Sequence, residues 1–210
     1  MYGHQLQKVS LERDLGIHVS SDMKVGSQCM EAHRKASQNL GIINRIIRFK
    51  NPGILLSLCK SMVRPHLEFC SPAWNPYYIK DKHLLEKRVQ YRFTRMFSVP
   101  YEDRLCKLGL WSLEERRNRA DLLEIFRMVK GFSAVSWTQF FRRAQGATKG
   151  HNWKLYKEYN HGDIRQHSFS QRSINRWNRL SQDEVNAQTI NGFKNCVQRR
   201  RQREMDFFMD

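Results

Sequence analysis

Ser112-Leu113-Glu114-Glu115-Arg116-Arg117-Asn118-Arg119-Ala120-Asp121-Leu122-Leu123-Glu124-Ile125-Phe126-Arg127-Met128-Val129-Lys130-Gly131 is the stretch that decides the fold class of this chain. Its first four residues form a capping box, with a hydroxyl at the cap and a carboxylate three residues on, each able to close the other's orphan amide. Leu122, Ile125, Phe126 and Val129 then recur at helical spacing, and Gly131 supplies the stop.

Toward the N-terminus the same period recurs. Ala32, Ala36, Leu40, Ile43 and Ile47 fall at three- and four-residue steps and predict an amphipathic helix from about Ser27. Asn51-Pro52-Gly53 ends it and opens the next, with Asn51 as cap and Pro52 at the first helical position. Leu55, Leu58, Cys59, Met62 and Val63 carry that second helix to about residue 63. Pro65, Pro72 and Pro76 predict an extended connector bearing Phe69, Trp74, Tyr77 and Tyr78. A third helix is expected over about 81–97, with Asp81 as cap and Leu85, Val89, Phe93 and Met96 inward.

Ahead of these helices the period changes to two. Leu15, Ile17 and Val19 alternate with Gly16, His18 and Ser20, predicting a half-buried strand, with Gln5–Val9 as its hairpin partner through Ser10–Arg13. Beyond Gly131, residues 143–166 are polar, with Gly146, Gly150 and Gly162, and predict a loop or irregular strands. A last helical region is expected over 168–204 with a break near Ser181-Gln182-Asp183. The expected fold class is therefore mainly α. It comprises a β-hairpin over 1–26, a helical domain over 27–132 and a less regular basic region with helices over 133–210.

With 210 residues the chain can bury a substantial core. Its apolar runs are too short for a membrane span, and the N-terminus shows no secretory pattern. Five separated cysteines without a C-x-x-C pair speak against a classical zinc finger and predict reduced thiols in an intracellular protein, nuclear or cytoplasmic. Charge is the strongest bulk signal. Lys+Arg 37 against Asp+Glu 20 leaves +17, and the excess runs through both halves: 16 basic to 7 acidic over 1–100, and 21 to 13 over 101–210. Such a chain calls for an anionic partner, nucleic acid before membrane surface.

No nucleotide-binding glycine loop, nucleophile elbow, H-E-x-x-H pair or Asp-Asp pair is present. Glu102-Asp103 falls in an amphipathic helical stretch and reads as a solvated face, and His161 and His167 lack metal-ligand spacing. The residues by themselves predict neither an enzyme nor a cofactor or metal. Basic side chains interleaved with aromatics remain. Lys87, Arg88, Arg92 and Arg95 share a helix with Tyr91 and Phe93, and Arg116, Arg117 and Arg119 lie in the first turns of the capped helix. Arg34, Lys35, Arg45, Arg48 and Arg64 extend the set, giving candidate phosphate contacts along helix surfaces. The plain alternative is that the arginine stems cover apolar surface with solvated heads. Trp74, Trp111 and Trp177 are expected to anchor core rather than stack bases.

A family pattern runs through these residues. It comprises Asp14-Leu15-Gly16-Ile17-His18-Val19, Ala36 with Leu40-Gly41 and Ile46, Leu58 with Val63-Arg64-Pro65-His66-Leu67-Glu68-Phe69-Cys70, and Trp74-Asn75-Pro76. It continues with Leu85-Glu86-Lys87-Arg88-Val89-Gln90, Tyr101-Glu102-Asp103-Arg104-Leu105, Leu108-Gly109-Leu110 and Leu113-Glu114-Glu115-Arg116-Arg117. Asp121-Leu122, Lys130-Gly131, Phe169-Ser170-Gln171-Arg172, Trp177-Asn178-Arg179-Leu180 and Phe193-Lys194 complete it. In this order the chain resembles the C-terminal portion of the reverse transcriptase of non-LTR (LINE-type) retrotransposons, closest to the jockey-like clades. The resemblance implies that Asp14–Val19 is the primer-grip hairpin that closes the palm, and that residues 27–97 are thumb helices gripping template–primer duplex. Fingers and the aromatic-x-Asp-Asp palm box are then expected to be missing, so the family's polymerase activity is not expected of this chain alone. The alternative is a retroelement remnant that acts as a protein-interaction module or has no selected function. Ser181 stands where the family usually has proline, a departure expected to loosen that turn. The hairpin, parted from a palm, is expected to expose Leu15, Ile17 and Val19 and to promote self-association.

Overall fold

A computed structural model describes residues 8–49, 51–97, 101–145 and 150–209, with side chains described for all of these except 101–103 and 205. The fold is mainly α-helical, with a short N-terminal antiparallel hairpin followed by a helical bundle. The chain divides into two compact units. Unit 1 holds 1–70 and 76–98; unit 2 holds 71–75 and 99–210. The capped helix therefore folds with the C-terminal segment rather than with residues 27–98.

In unit 1, β1 (Leu11–Asp14) pairs with β2 (Ile17–Ser20), Leu11 opposite Ser20 and Asp14 opposite Ile17. The two-residue turn Leu15-Gly16 has φ of 45° and 90°. A turn with both central residues at positive φ matches the twist of paired strands, which is why the hairpin closes there. This corrects the expected pairing. The partner of β2 is Leu11–Asp14, while residues 5–7 of the anticipated strand 5–9 lie outside the described residues. Leu15 belongs to the turn and is 89% exposed, and Val19 is exposed as well, so Ile17 alone of the three packs inward. The hairpin is tied to the helices by His18 N–H, which donates to Gln28 Oε1 at 2.9 Å.

Helix α1 (Gly26–Ile46) buries Cys29, Ala32, Ala36, Leu40 and Ile43. After it, α2 (Pro52–Leu58) starts as its sequence dictates, with Asn51 Oδ1 accepting from Gly53 and Ile54 N–H. The helix does not stop at Val63. A π-helical turn (Cys59–Val63) leads into α3 (Arg64–Glu68), so Pro65 lies inside a helical run and not in the extended connector its ring suggests. The wide turn ahead of it makes room for the ring that a regular helix would exclude. In unit 2, α4 (Ser71–Trp74) is helical as well, a second departure from the expected connector. Back in unit 1, the next run joins α5 (Ile79–Leu85), a π-helical segment (Glu86–Tyr91) and α6 (Arg92–Thr94). Asp81, Leu85, Val89 and Phe93 are all buried at four-residue spacing. The wider winding keeps that strict spacing on one stripe, which an ordinary 3.6-residue turn would let drift. Tyr78 precedes the first turn, so Asp81 is an inward residue of that turn rather than the cap.

Besides α4, unit 2 takes α7 (Tyr101–Lys107), α8 (Leu113–Val129), α9 (Asp163–Gln166), α10 (Phe169–Arg172), α11 (Ile174–Asn178), α12 (Gln182–Val185) and α13 (Ile190–Arg203). Ser112 and Glu115 form the reciprocal capping box of α8, and Gly131 takes φ of 72° just past its end. The core gathers Leu122, Ile125 and Phe126 of α8 around Trp177, Phe193, Val197, Phe207 and Phe208, with Phe126 stacked on Phe193 at 4.2 Å. Trp74, Trp111 and Trp177 are buried, as anticipated for core anchors. Over 143–166 an isolated bridge joins Arg143 to Leu155. The C-terminal helical region breaks at several points. At one of them Ser181 is not a loosened turn: it caps α12, accepting from Glu184 N–H at 3.3 Å while the Glu184 carboxylate accepts from Ser181 N–H at 2.7 Å. Proline there would lack that second donor.

Candidate nucleic-acid interface

The twelve basic residues that the sequence singles out separate by what surrounds them. Arg117 is corrected outright. It is 1% exposed, and its Nε donates to Asn75 Oδ1 at 3.0 Å. Asn75 in turn donates to Asn118, and Asn118 donates to the carbonyl of Phe208 at 2.7 Å. Arg117 therefore holds α8 to residues 71–75 and to the C-terminal end, out of reach of any phosphate. Its position on the buried face follows from the helix itself, since Arg117 and Asp121 lie one turn apart on the side that carries Ile125. Arg116 and Arg119 are half-buried in the same unit, and the Arg119 guanidinium lies 4.9 Å from the Trp111 ring centroid.

Three of the set lie in unit 1 but are engaged by carboxylates. Arg34 forks onto Glu31 with both bonds at 2.8 Å, and Lys35 reaches the same carboxylate at 3.3 Å. Hydrogen bonding to Arg34 holds Glu31 down at about 2, despite some desolvation. Arg64 pairs with Glu68 one turn on, at 3.6 Å.

The remaining six, Arg45, Arg48, Lys87, Arg88, Arg92 and Arg95, are all exposed, all in unit 1, and make no ion pair among the described residues. Arg88 and Arg92 lie one turn apart and face His33 of α1, whose imidazole is held below its ordinary value by burial and then by these two charges. Arg92 and Arg95 border a shallow groove of about 240 Å³ with Leu40, Asn44 and Met96. Arg45 is in the last turn of α1, where a cation complements the helix dipole, and Arg48 lies just past the helix end. Lys87 is exposed beside Arg88. Arg88, Arg92 and Arg95 thus lie near His33 and the groove at Leu40 and Asn44, without a carboxylate partner among the described residues.

The C-terminal arginines are used differently, in a way that sequence reasoning misses. Arg172 forks onto the buried Asp121 carboxylate at 2.8 and 3.0 Å and donates to the carbonyls of Pro72 and His167. Arg201 forks onto Glu115 at 2.6 and 2.9 Å and lies 4.8 Å from the Trp111 ring. Arg200 donates to Glu184 and to the Arg179 carbonyl, Arg179 pairs with Glu204, and both guanidiniums lie over Phe207. The signal for this network is a set of polar residues at helical spacing on the buried face of α8: Arg117, Asn118 and Asp121. It reads as structural only once their partners from distant segments are in place. Among the described residues no cluster of three or more His, Cys, Asp or Glu could hold a metal ion, and no helix is long and apolar enough to cross a membrane. No protein-family model, curated protein or solved structure matches this chain.

Proposed function

We propose that this protein binds nucleic acid through the helices of unit 1, without polymerase chemistry of its own, in the manner of the thumb of a non-LTR retrotransposon reverse transcriptase. The observation that carries the reading is the set of exposed cations in unit 1 without carboxylate partners among the described residues: Arg88 and Arg92, which both face His33, Arg95, which shares a groove with Arg92, and Arg45, Arg48 and Lys87. Like charges as near as Arg88, Arg92 and Arg95 are unfavourable for the isolated fold, and a polyanion relieves this while releasing its condensed counterions. Guanidiniums one turn apart on one helical run, Arg88 and Arg92, suit a phosphate backbone rather than a base edge, so the binding is expected to depend little on sequence.

Fluorescence anisotropy with a short RNA–DNA hybrid at several salt concentrations tests this. Log K is expected to fall against log salt with a slope of roughly −4 to −8. The triple variant Arg88→Ala, Arg92→Ala, Arg95→Ala is expected to flatten that slope by about 2 to 3, near one for each phosphate no longer neutralised. A triple variant that binds with the wild-type slope would refute the assignment to unit 1. A wild-type chain that shows no salt-dependent binding would refute the function.

A further inference from the structure

The hairpin of unit 1 has one open edge. Asp14 and Ile17 flank its two-residue turn, and Ser21 N–H donates to the Ser10 carbonyl at 2.9 Å. Bonded and non-bonded pairs alternate along an antiparallel ladder, so Ser10, Glu12 and Asp14 bond to the second strand while Leu11 and Arg13 turn their N–H and C=O groups away from it. The outward Arg13 N–H donates to the side chain of its own neighbour, Glu12 Oε1, at 3.2 Å. All four residues of β1 are exposed. The edge of β2 differs: His18 N–H, which points away from β1, is taken by Gln28 of α1. A free edge is a template for another strand, and the charges it carries decide which strand fits. Beside this edge, Leu11, His18 and Met30 line a groove of about 580 Å³. Val9, Leu11 and Met30 are each about half exposed, and alternation puts Val9 on the same face as Leu11.

We propose that the free edge of β1 pairs antiparallel with β1 of a second copy of this chain, with Ser10 on the two-fold axis, so that two hairpins form one four-stranded sheet. Outward groups must meet outward groups, which restricts the axis to positions centred on a residue. Centring on Glu12 or on Arg13 sets that charge against itself. Centring on Leu11 sets Arg13 against Val9 and Glu12 against Ser10, with no charge pair. Centring on Ser10 sets Lys8 opposite Glu12 and Val9 opposite Leu11, each twice. Opposite charges directly across a pair of strands stabilise it and like charges oppose it, so the edge residues select the Ser10 register. The same register lays the partner's Val9 against Leu11 at the mouth of the groove and covers apolar surface there. Because the segment is self-complementary about Ser10, the contact is isologous and closes at two copies. It uses none of the cations Arg45, Arg48, Lys87, Arg88, Arg92 and Arg95.

The test is sedimentation velocity of the full chain over a concentration series. The protein is treated with nuclease first, so that no polyanion bridges two copies, and salt is added to screen the net charge of +17. A reversible monomer–dimer equilibrium is expected. Leu11→Pro removes an outward N–H and leaves the bonds to β2 in place, and is expected to abolish the dimer. Lys8→Glu and Glu12→Lys are each expected to weaken dimerisation by about tenfold, since two attractive pairs become two repulsive ones. Combining both substitutions in one chain, or mixing the two variants, restores opposite charges and is expected to restore the dimer. In the proposed register Ser10 faces its own copy in a non-bonded pair, with Cα atoms about 4.5 Å apart, within the range a disulfide spans. Ser10→Cys is therefore expected to give a covalent dimer on mild oxidation, joined at position 10 by peptide mapping, and Glu12→Cys none joined at position 12. A chain that stays monomeric throughout, wild-type association by Leu11→Pro, charge swaps that fail to restore the dimer, or linkage at position 12 as ready as at position 10 would each overturn the proposal.

Discussion

Replacing Arg172 by alanine tests whether the buried polar network of unit 2 is what locks its segments together. The substitution removes both prongs of the fork on Asp121, at 2.8 and 3.0 Å, and the donations to Pro72 O at 2.7 Å and His167 O at 3.0 Å. Asp121 is 1% exposed, so its carboxylate cannot turn to water. Removing one partner of a buried pair costs about 3–5 kcal/mol, mostly from the charge left behind. For a unit of this size each kcal/mol moves the melting temperature by about 4 °C, so a fall on the order of 12–20 °C is expected by circular dichroism. The pH dependence identifies the cause. Burial pushes the Asp121 carboxyl above its ordinary value, and Arg172 pulls it back down. A carboxyl raised in the native state keeps its proton to higher pH than the unfolded chain does. The stability it contributes is then full below the unfolded value near 3.9 and is lost as pH rises through the native value. Without Arg172 that native value climbs further, so the deficit of Arg172→Ala should be largest at pH 7 and shrink toward pH 4. Pairing Asp121→Leu with Arg172→Met should restore most of the stability, since an apolar replacement of a buried pair is often neutral. A deficit below about 1 kcal/mol at pH 7, flat in pH, would refute the reasoning.

Two further outcomes rest on single sites. His151 is buried, with Nε2 bonded to the Trp177 carbonyl at 3.0 Å and Nδ1 accepting from Trp153 N–H at 3.1 Å, so its neutral form fits and a second proton would face a donor. Burial holds its pKa below the ordinary 6.5, so the unfolded chain takes up the proton first as pH falls. The histidine's contribution is full above about 6.5 and is lost below it, and urea melts at pH 7.5 and pH 5 should show a smaller difference in His151→Leu than in wild type. Leu15 holds φ of 45° while 89% exposed, so Leu15→Asn should gain up to about 1 kcal/mol by relieving left-handed strain. If the hairpin drives self-association, the same variant should lower the mass seen by light scattering at high concentration.

The helices are legible where local chemistry alone fixes them. Asn51-Pro52 and Ser112-x-x-Glu115 place their caps without outside help, and both helices start where those residues put them. The prolines mislead because Pro65 reads as a breaker, whereas the π-helical turn over Cys59–Val63 supplies the room its ring needs. Nothing in a periodicity count signals a wide turn in advance. The strict four-residue spacing of Asp81, Leu85, Val89 and Phe93 is the nearest thing to a local sign of one. In the hairpin, period two locates Ile17 on the inner face, but Leu15 falls to the turn because residues 15 and 16 must take positive φ for the strands to meet.

The candidate site is legible as a composition and not as a surface. By helical spacing alone Arg117 and Arg92 are equivalent: each is an arginine among basic neighbours on an amphipathic helix. What separates them is sequence-distant. Arg117 meets Asn75, 42 positions away, and is buried with it, whereas Arg92 stays exposed without an ion pair among the described residues. Elsewhere too, partners from distant segments decide which cations are engaged. In unit 2, Arg172, Arg200 and Arg201 are tied to Asp121, Glu184 and Glu115 and serve as cross-links between segments. In unit 1, Arg88, Arg92 and Arg95 lack such partners among the described residues. Part of the positive charge of the C-terminal half, where the sequence carries the most arginine, is therefore already engaged by carboxylates. With Arg45, Arg48, Lys87, Arg88, Arg92 and Arg95 all replaced by alanine, the chain should bind the hybrid with a markedly shallower salt slope than its remaining basic residues imply. A steep residual slope would show instead that the ion pairs of unit 2 open to phosphate.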